Sequence, residues 1–169
     1  EAKGDVLKAI EGTEIAINMP VLMQGDALMN ASKGYDTVLY RESIGVFCGI
    51  SPFNFPAMIP MGWMVPNCIA AGNTMVMKVS GATPLTSLRI AELYKEAGLP
   101  DGVLNVISCD REITSELLTN PIIKGISFVG STKVGMHIYS TGAAHKKRVQ
   151  ALCEAKNHAL VLADAPIDR

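Results

Sequence analysis

Apolar residues recur along the chain in two rhythms. Val6, Leu7, Ile10, Ile15 and Ile17 fall among charged positions, which predicts an amphipathic helix over 6–19 that Pro20 ends. Between 21 and 43 the segments shorten around Lys33-Gly34, and 37–40 is β-prone. This pattern predicts a hairpin-like arm. An isolated hairpin is marginal in water, so the arm needs a surface to lie on, and a partner subunit is the natural candidate. From Gly45 onward, compact apolar runs alternate with helical segments. Strands are expected at 45–50, 74–79, 103–108, 125–129, 149–153 and 159–163, and helices at 57–71, 84–97, 112–119 and 131–141. Pro84 suits the first turn of its helix, and Gly98 falls just past the end. Apolar strands alternating with helices imply an α/β fold, a parallel sheet covered on both faces. Right-handed crossovers make it a Rossmann-like doubly wound domain, here from 1–20 and 44–169, with 21–43 as the arm.

Composition narrows the picture. Of 169 residues 49% are hydrophobic and 18% charged, enough to bury a core. A net charge of −1 and the lack of a basic stripe leave no electrostatic case for nucleic acid. The run Lys146-Lys147-Arg148 reads as a solvated loop before a strand. The most apolar window, 57–71, is broken by Pro60, Gly62 and Pro66, so no membrane helix is expected. Cys48, Cys68, Cys109 and Cys153 are widely spaced in mostly apolar runs and show no metal pattern. They read as small buried hydrophobes in a reducing compartment. Cys153 has no cation near it in sequence to activate it. His137, His145 and His158 lack metal or dyad spacing.

In open α/β sheets, ligands gather beyond the carboxyl ends of the strands. Three such ends carry usable chemistry. After the strand ending at Ile50, Ser51-Pro52 leads to Asn54, set between Phe53 and Phe55 and closed by Pro56. A rigid amide there can donate to a developing oxyanion, or it can be a turn residue satisfying its own backbone. Lys78 ends the strand TMVMK; it can donate to ribose or phosphate, or carry its charge to solvent. Gly130-Ser131-Thr132 opens a helix after GISFV. It can cradle an anion or serve as an ordinary N-cap; the generic GxGxxG fingerprint is absent.

The words PFNFP, AMIP, GLPDGVLNVI, SFVGST and VQALCEAKNH resemble the aldehyde dehydrogenase superfamily, most closely its CoA-acylating methylmalonate-semialdehyde dehydrogenase branch. The resemblance runs from about Val6 to the C-terminus. It implies NAD(P)-dependent oxidation of a semialdehyde, such as methylmalonate or malonate semialdehyde, to an acyl-CoA through an enzyme thioester. Asn54 would stabilise the oxyanion. Ile50, Ser51, Pro52, Phe53, Lys78, Ser80, Gly130 and Ser131 would bind the cofactor, NAD with NADP not excluded, and coenzyme A would be co-substrate. Lys-Pro-Ser-Glu is usual where this chain has Lys78-Val79-Ser80-Gly81, and the lost carboxylate leaves the 2′ group open. Lys8 stands where the branch tends to carry an arginine for the substrate carboxylate, without the bidentate fork.

The general-base glutamate of hydrolytic members is matched by Leu152, which cannot take a proton. A thioester that water leaves alone can wait for a thiol. Glu154 is either a displaced base, if it shares a strand face with 152, or an ordinary charged residue beyond the strand. The segment Met61-Gly62-Trp63 is one residue longer than the branch spacing, which predicts a local helix distortion. Homo-oligomers, dimeric or tetrameric, and a cytoplasmic location (mitochondrial matrix in a eukaryote) are also implied. The nucleophilic cysteine of such enzymes lies beyond Arg169, so the chain reads as an inactive piece of a longer enzyme. The alternative is a non-catalytic remnant used for nucleotide binding or assembly.

Overall fold

The computed structural model describes residues 1–166. Helix α1 (Ala2–Ala16) is followed by a single-turn α2 (Met19–Leu22). Pro20 therefore opens a helix rather than ending one; its missing N–H is harmless in a first turn. The inward face of α1 also differs from the apolar pattern. Its buried residues are Ala9, Gly12 and Ala16, while Leu7, Ile10 and Ile15 are exposed. Strands β1 (Ala27–Ser32) and β2 (Tyr35–Val38) pair antiparallel around Lys33-Gly34. Both are exposed along their full length.

Five parallel strands form the body: β3 (Val46–Ile50), β4 (Thr74–Lys78), β5 (Leu104–Ile107), β6 (Ile123–Gly130) and β7 (Arg148–Cys153). Their spatial order is β5-β4-β3-β6-β7. The chain winds outward one way from β3 and then returns to its other side, so the switch point lies between β3 and β6. Helices α3 (Val65–Ala70) and α4 (Pro84–Glu96) cover one face, over a core of Ile59, Met61, Val65, Met75, Met77 and Val79. Helices α5 (Arg111–Thr119) and α6 (Thr132–Ala144) cover the other, over Cys48, Ile50, Leu118, Ile126, Phe128 and Ile138. The strand expected at 159–163 does not form. Leu160, Val161 and Leu162 are exposed there, and an apolar run becomes a strand only beside a neighbour with which it can pair.

The helix expected over 57–71 has a wide-bore first half. Met58–Met64 is π-helical and α3 follows directly, and the 61–63 segment, where a distortion was expected, lies inside the π stretch. The N–H of Val65 bonds back five residues to the Pro60 carbonyl. Pro66 has no N–H to offer Met61, and the Tyr94 hydroxyl donates to that carbonyl instead (3.4 Å). Asp5 of α1 accepts from the N–H groups of Ala57 and Met58 (both 2.9 Å), satisfying donors that a helix start leaves orphaned. Gly12 and Gly62 bring the two backbones into contact. A Cβ on Gly62 would lie 2.6 Å from the Cα of Ala9.

Lys147 departs from the solvated-loop expectation. It is only 8% exposed, and its ammonium donates to the carbonyls of Asn120 and Ile123, the latter at 2.7 Å. Those carbonyls lie where the chain enters β6, and that of Asn120 also accepts from the Ile123 N–H (3.2 Å). Burial first, and then the nearby Lys124, lower the Lys147 pKa.

Candidate cofactor groove

The carboxyl ends of the central strands open on a groove of about 780 Å³, within the range of small-molecule sites of about 300–1,000 Å³. Ile50, Ser51 and Pro52 enter from β3, Lys78 from β4, and Gly130 and Ser131 from β6. Six residues read from sequence as cofactor contacts therefore share one wall. The Ser51 N–H bonds to the Lys78 carbonyl (3.1 Å), which ties the turn after β3 to the end of β4. Phe53 and Ser80 do not line the groove. Phe53 is exposed, and its carbonyl accepts from the Thr83 hydroxyl (3.1 Å). The Ser80 hydroxyl accepts from the Ala82 N–H (3.3 Å).

The polar inventory suits a phosphorylated ligand. The Ser51 hydroxyl is buried, lines the groove and has no hydrogen-bond partner, a state that costs about 1–3 kcal/mol unless a ligand supplies one. Ser131 is the N-cap of α6, and its side chain makes no capping bond. The N–H groups of Lys133 and Val134 lie in the first turn of α6, where an anion is stabilised by unpaired donors and the helix dipole. Gly130 also has a packing reason, since a Cβ there would sit 2.5 Å from the Phe128 ring. Asp110, Arg111, Lys133 and His137 line the same groove and were missed in the sequence. Applying the strand-end rule to β5 as well would have found Asp110 and Arg111; Lys133 and His137 come with the first turns of α6.

Asn54 lies outside this groove. It borders a second cavity of about 810 Å³ on the far side of the 52–56 loop, together with Lys8, Asp5, Phe55, Met58 and Thr86. The loop thus separates two chambers, with Ser51 facing one and Asn54 the other. Lys8 shares the Asn54 chamber, but its ammonium is paired with Glu11 (2.5 Å).

Leu152 lines a third, smaller groove of about 490 Å³ with Trp63, Met64, Cys68, Val129 and Gln150. Glu154 does not continue that face. It lies past the end of β7 with φ of 52°, so the two-residue alternation stops before it. Its carboxylate accepts from the Thr132 N–H (3.2 Å) at the start of α6. Burial pushes the thiols of Cys48 and Cys68 up to about 12, which leaves both protonated and unreactive at neutral pH. Cys153 packs against Gly135 of α6.

The family model "Aldehyde dehydrogenase family" matches residues 1–169. Malonate-semialdehyde dehydrogenase 1 of Oceanobacillus iheyensis is 48% identical over 169 residues, all of this chain and 35% of the relative. Malonate-semialdehyde dehydrogenase of Lacticaseibacillus casei is 51% identical over 168 residues, 99% of this chain and 34% of that protein. Among solved structures, a Sinorhizobium meliloti 1021 protein described as a methylmalonate-semialdehyde dehydrogenase complexed with NAD superposes with a TM-score of 0.91 at 42% identity. That match covers 98% of this chain and 34% of the other. The methylmalonate-semialdehyde dehydrogenase of Oceanimonas doudoroffii gives a TM-score of 0.90 at 45% identity, with 98% and 34% covered. The chain spans about a third of the length of the relatives it matches.

Proposed function

The chain belongs to the aldehyde dehydrogenase family, and on that premise we propose that it supplies the dinucleotide site and oxyanion loop for oxidation of a small semialdehyde to an acyl-CoA. The relatives' names favour malonate or methylmalonate semialdehyde as substrate. Bound NAD would accept the hydride released from the substrate carbon. The Ser51 hydroxyl would donate to the cofactor, Lys78 would hold a ribose hydroxyl, and Gly130-Ser131 with the first turn of α6 would hold the diphosphate. Asn54, on the other wall of the loop, would donate its side-chain N–H to the oxyanion that forms as a cysteine thiolate adds to the carbonyl. Lys8 would attract the substrate carboxylate into the same chamber, as a point charge shared with Glu11.

The placement of Leu152 and Glu154 carries the acylating reading. The resemblance matches Leu152 to the position at which a hydrolytic enzyme carries its base. The nearest carboxylate in sequence, Glu154, is held at the start of α6 by the Thr132 N–H. With leucine in place of that base, the thioester would persist until coenzyme A attacks it. The exposed β1–β2 hairpin, with Leu28, Met29, Tyr35 and Val38 uncovered, fits a partner subunit in an oligomer. The test is aldehyde oxidation with malonate semialdehyde, with and without coenzyme A, following reduced nicotinamide and separating the products. Acyl-CoA formation that requires coenzyme A is expected. Free acid formed equally fast without it would overturn the acylating reading.

A further inference from the structure

We propose that Thr83 and Ser87, at the start of α4, are positioning residues for Asn54 and hold its loop in the geometry that oxyanion donation needs. This rests on the reading of Asn54 as the oxyanion donor. Such a donor lowers a barrier only if it is already aimed where charge develops. An amide on a free loop would have to be ordered first. The 52–56 loop begins and ends in proline, which limits its backbone at both ends. Two hydroxyls of α4 hold what lies between. Thr83 donates to the Phe53 carbonyl (3.1 Å), and Ser87 donates to the Pro56 carbonyl (2.7 Å). The two anchored carbonyls bracket Asn54.

Both hydroxyls forgo the bond their position usually makes. Thr83 is the N-cap of α4, yet its side chain accepts nothing from that helix; an N-cap threonine normally accepts from the second or third helical N–H. A serine inside a helix commonly bonds back to the carbonyl four residues earlier. Ser87 instead reaches a carbonyl 31 residues away, and it is the one residue of α4 that is fully buried. The Pro56 carbonyl has need of it, because the residue four ahead is Pro60, which has no N–H to offer. Just after the loop, Asp5 holds the N–H groups of Ala57 and Met58. Asn54 itself is exposed on its chamber, and its side chain makes no hydrogen bond among the described residues. A turn asparagine satisfying its own backbone would show the reverse pattern. A tied backbone beneath an uncommitted amide is what preorganisation of a donor requires.

The test is a double-mutant cycle in the full-length enzyme, with malonate semialdehyde, NAD and coenzyme A. Asn54→Ala should lower kcat about 100-fold, the usual order for loss of one oxyanion donor. Thr83→Val removes a hydroxyl at nearly constant shape and should lower kcat about fivefold, with the aldehyde KM within about twofold, since the lost alignment is felt in the transition state. Ser87→Ala should lower kcat about tenfold in the same way. Thr83→Ser keeps the donor and should keep most of the rate. Combined with Asn54→Ala, neither Thr83→Val nor Ser87→Ala should slow the enzyme further. NAD affinity by calorimetry should stay within about twofold, because Ser51 is tied to Lys78 and not to α4. Should Ser87→Ala fail to fold, Thr83→Val, at a partly exposed site, carries the cycle alone. Losses that multiply with Asn54→Ala, a wild-type kcat in the α4 variants, a Thr83→Ser rate as low as that of Thr83→Val, or a parallel fall in NAD affinity would overturn the proposal and leave the oxyanion reading standing. A kcat unmoved by Asn54→Ala would overturn that reading and the proposal with it.

Discussion

Glycine-to-alanine replacement within α1 should change stability in opposite directions at two positions eight residues apart. At Gly4 an added Cβ meets nothing within 4 Å. Alanine there gains helix propensity, worth about 0.5 kcal/mol near a helix end against about 1 kcal/mol in the interior. At Gly12 the Cβ would lie well inside van der Waals contact distance of the Gly62 carbonyl oxygen and 2.9 Å from its carbon. Ordinary contact begins at 3.4 Å, so the helices must part by at least about 0.5 Å (3.4 less 2.9). Both partners are main chain, so no side chain can rotate away. Overpacking of this kind costs about 1–3 kcal/mol and generally more against backbone, which outweighs the propensity gain of about 1 kcal/mol. Separation would also stretch the Asp5 bonds to Ala57 and Met58. Gly12→Ala is therefore expected to lose about 1–2 kcal/mol net, or roughly 2–8 °C in Tm for a domain of this size. Gly4→Ala should gain 1–2 °C, about what its 0.5 kcal/mol is worth on the same scale. Urea and thermal melts of both variants measure this directly. If they shift the same way, the close approach of α1 to the π-helix is wrong.

Lys147→Met should cost about 1–3 kcal/mol in chemical denaturation, because the buried Ile123 carbonyl loses its ammonium donor while that of Asn120 keeps the Ile123 N–H; a neutral result would show that water reaches it. Alkaline pH should destabilise the fold through Cys48. Its folded pKa of about 12 stands above the ordinary thiol value of 9.0, so the unfolded chain releases the proton first. Stability is then intact below about pH 9 and falls as pH rises toward 12, by at most about 1.4 kcal/mol per unit from this thiol. Cys48→Ala should flatten that slope in denaturant titrations between pH 8.5 and pH 10.5 (roughly the lower half of the window).

The alternation of apolar runs made the sheet readable, because parallel strands buried on both faces admit few other patterns. The inward face of α1 was not readable. Large apolar residues normally mark the core side, but here the partner is another backbone, and only Ala9, Gly12 and Ala16 fit against it. Asp5 was equally hidden, since its two N–H partners lie 52 and 53 residues away. The run 159–163 misled for the opposite reason: a strand-like composition does not supply a neighbouring strand. At the site, strand ends pointed to Ser51, Lys78 and Ser131 but placed Asn54 in the same crevice. The 52–56 loop turns its two sides to different chambers, a division that spacing along the chain does not encode.

The π-helical stretch gives this protein an uncommon kind of elasticity. Changes in chain length are usually absorbed at surface loops, where added residues disturb little. Here the wide turns, each closing over one more residue than an α-helical turn, lie in a largely buried stretch in which Trp63 alone is well exposed, anchored upstream by Asp5 and downstream by α3 on the sheet. Tyr94 caps the one carbonyl that Pro66 leaves without a donor. A residue could therefore be gained or lost between Met58 and Met64 while the 52–56 loop that precedes the stretch stayed where it is.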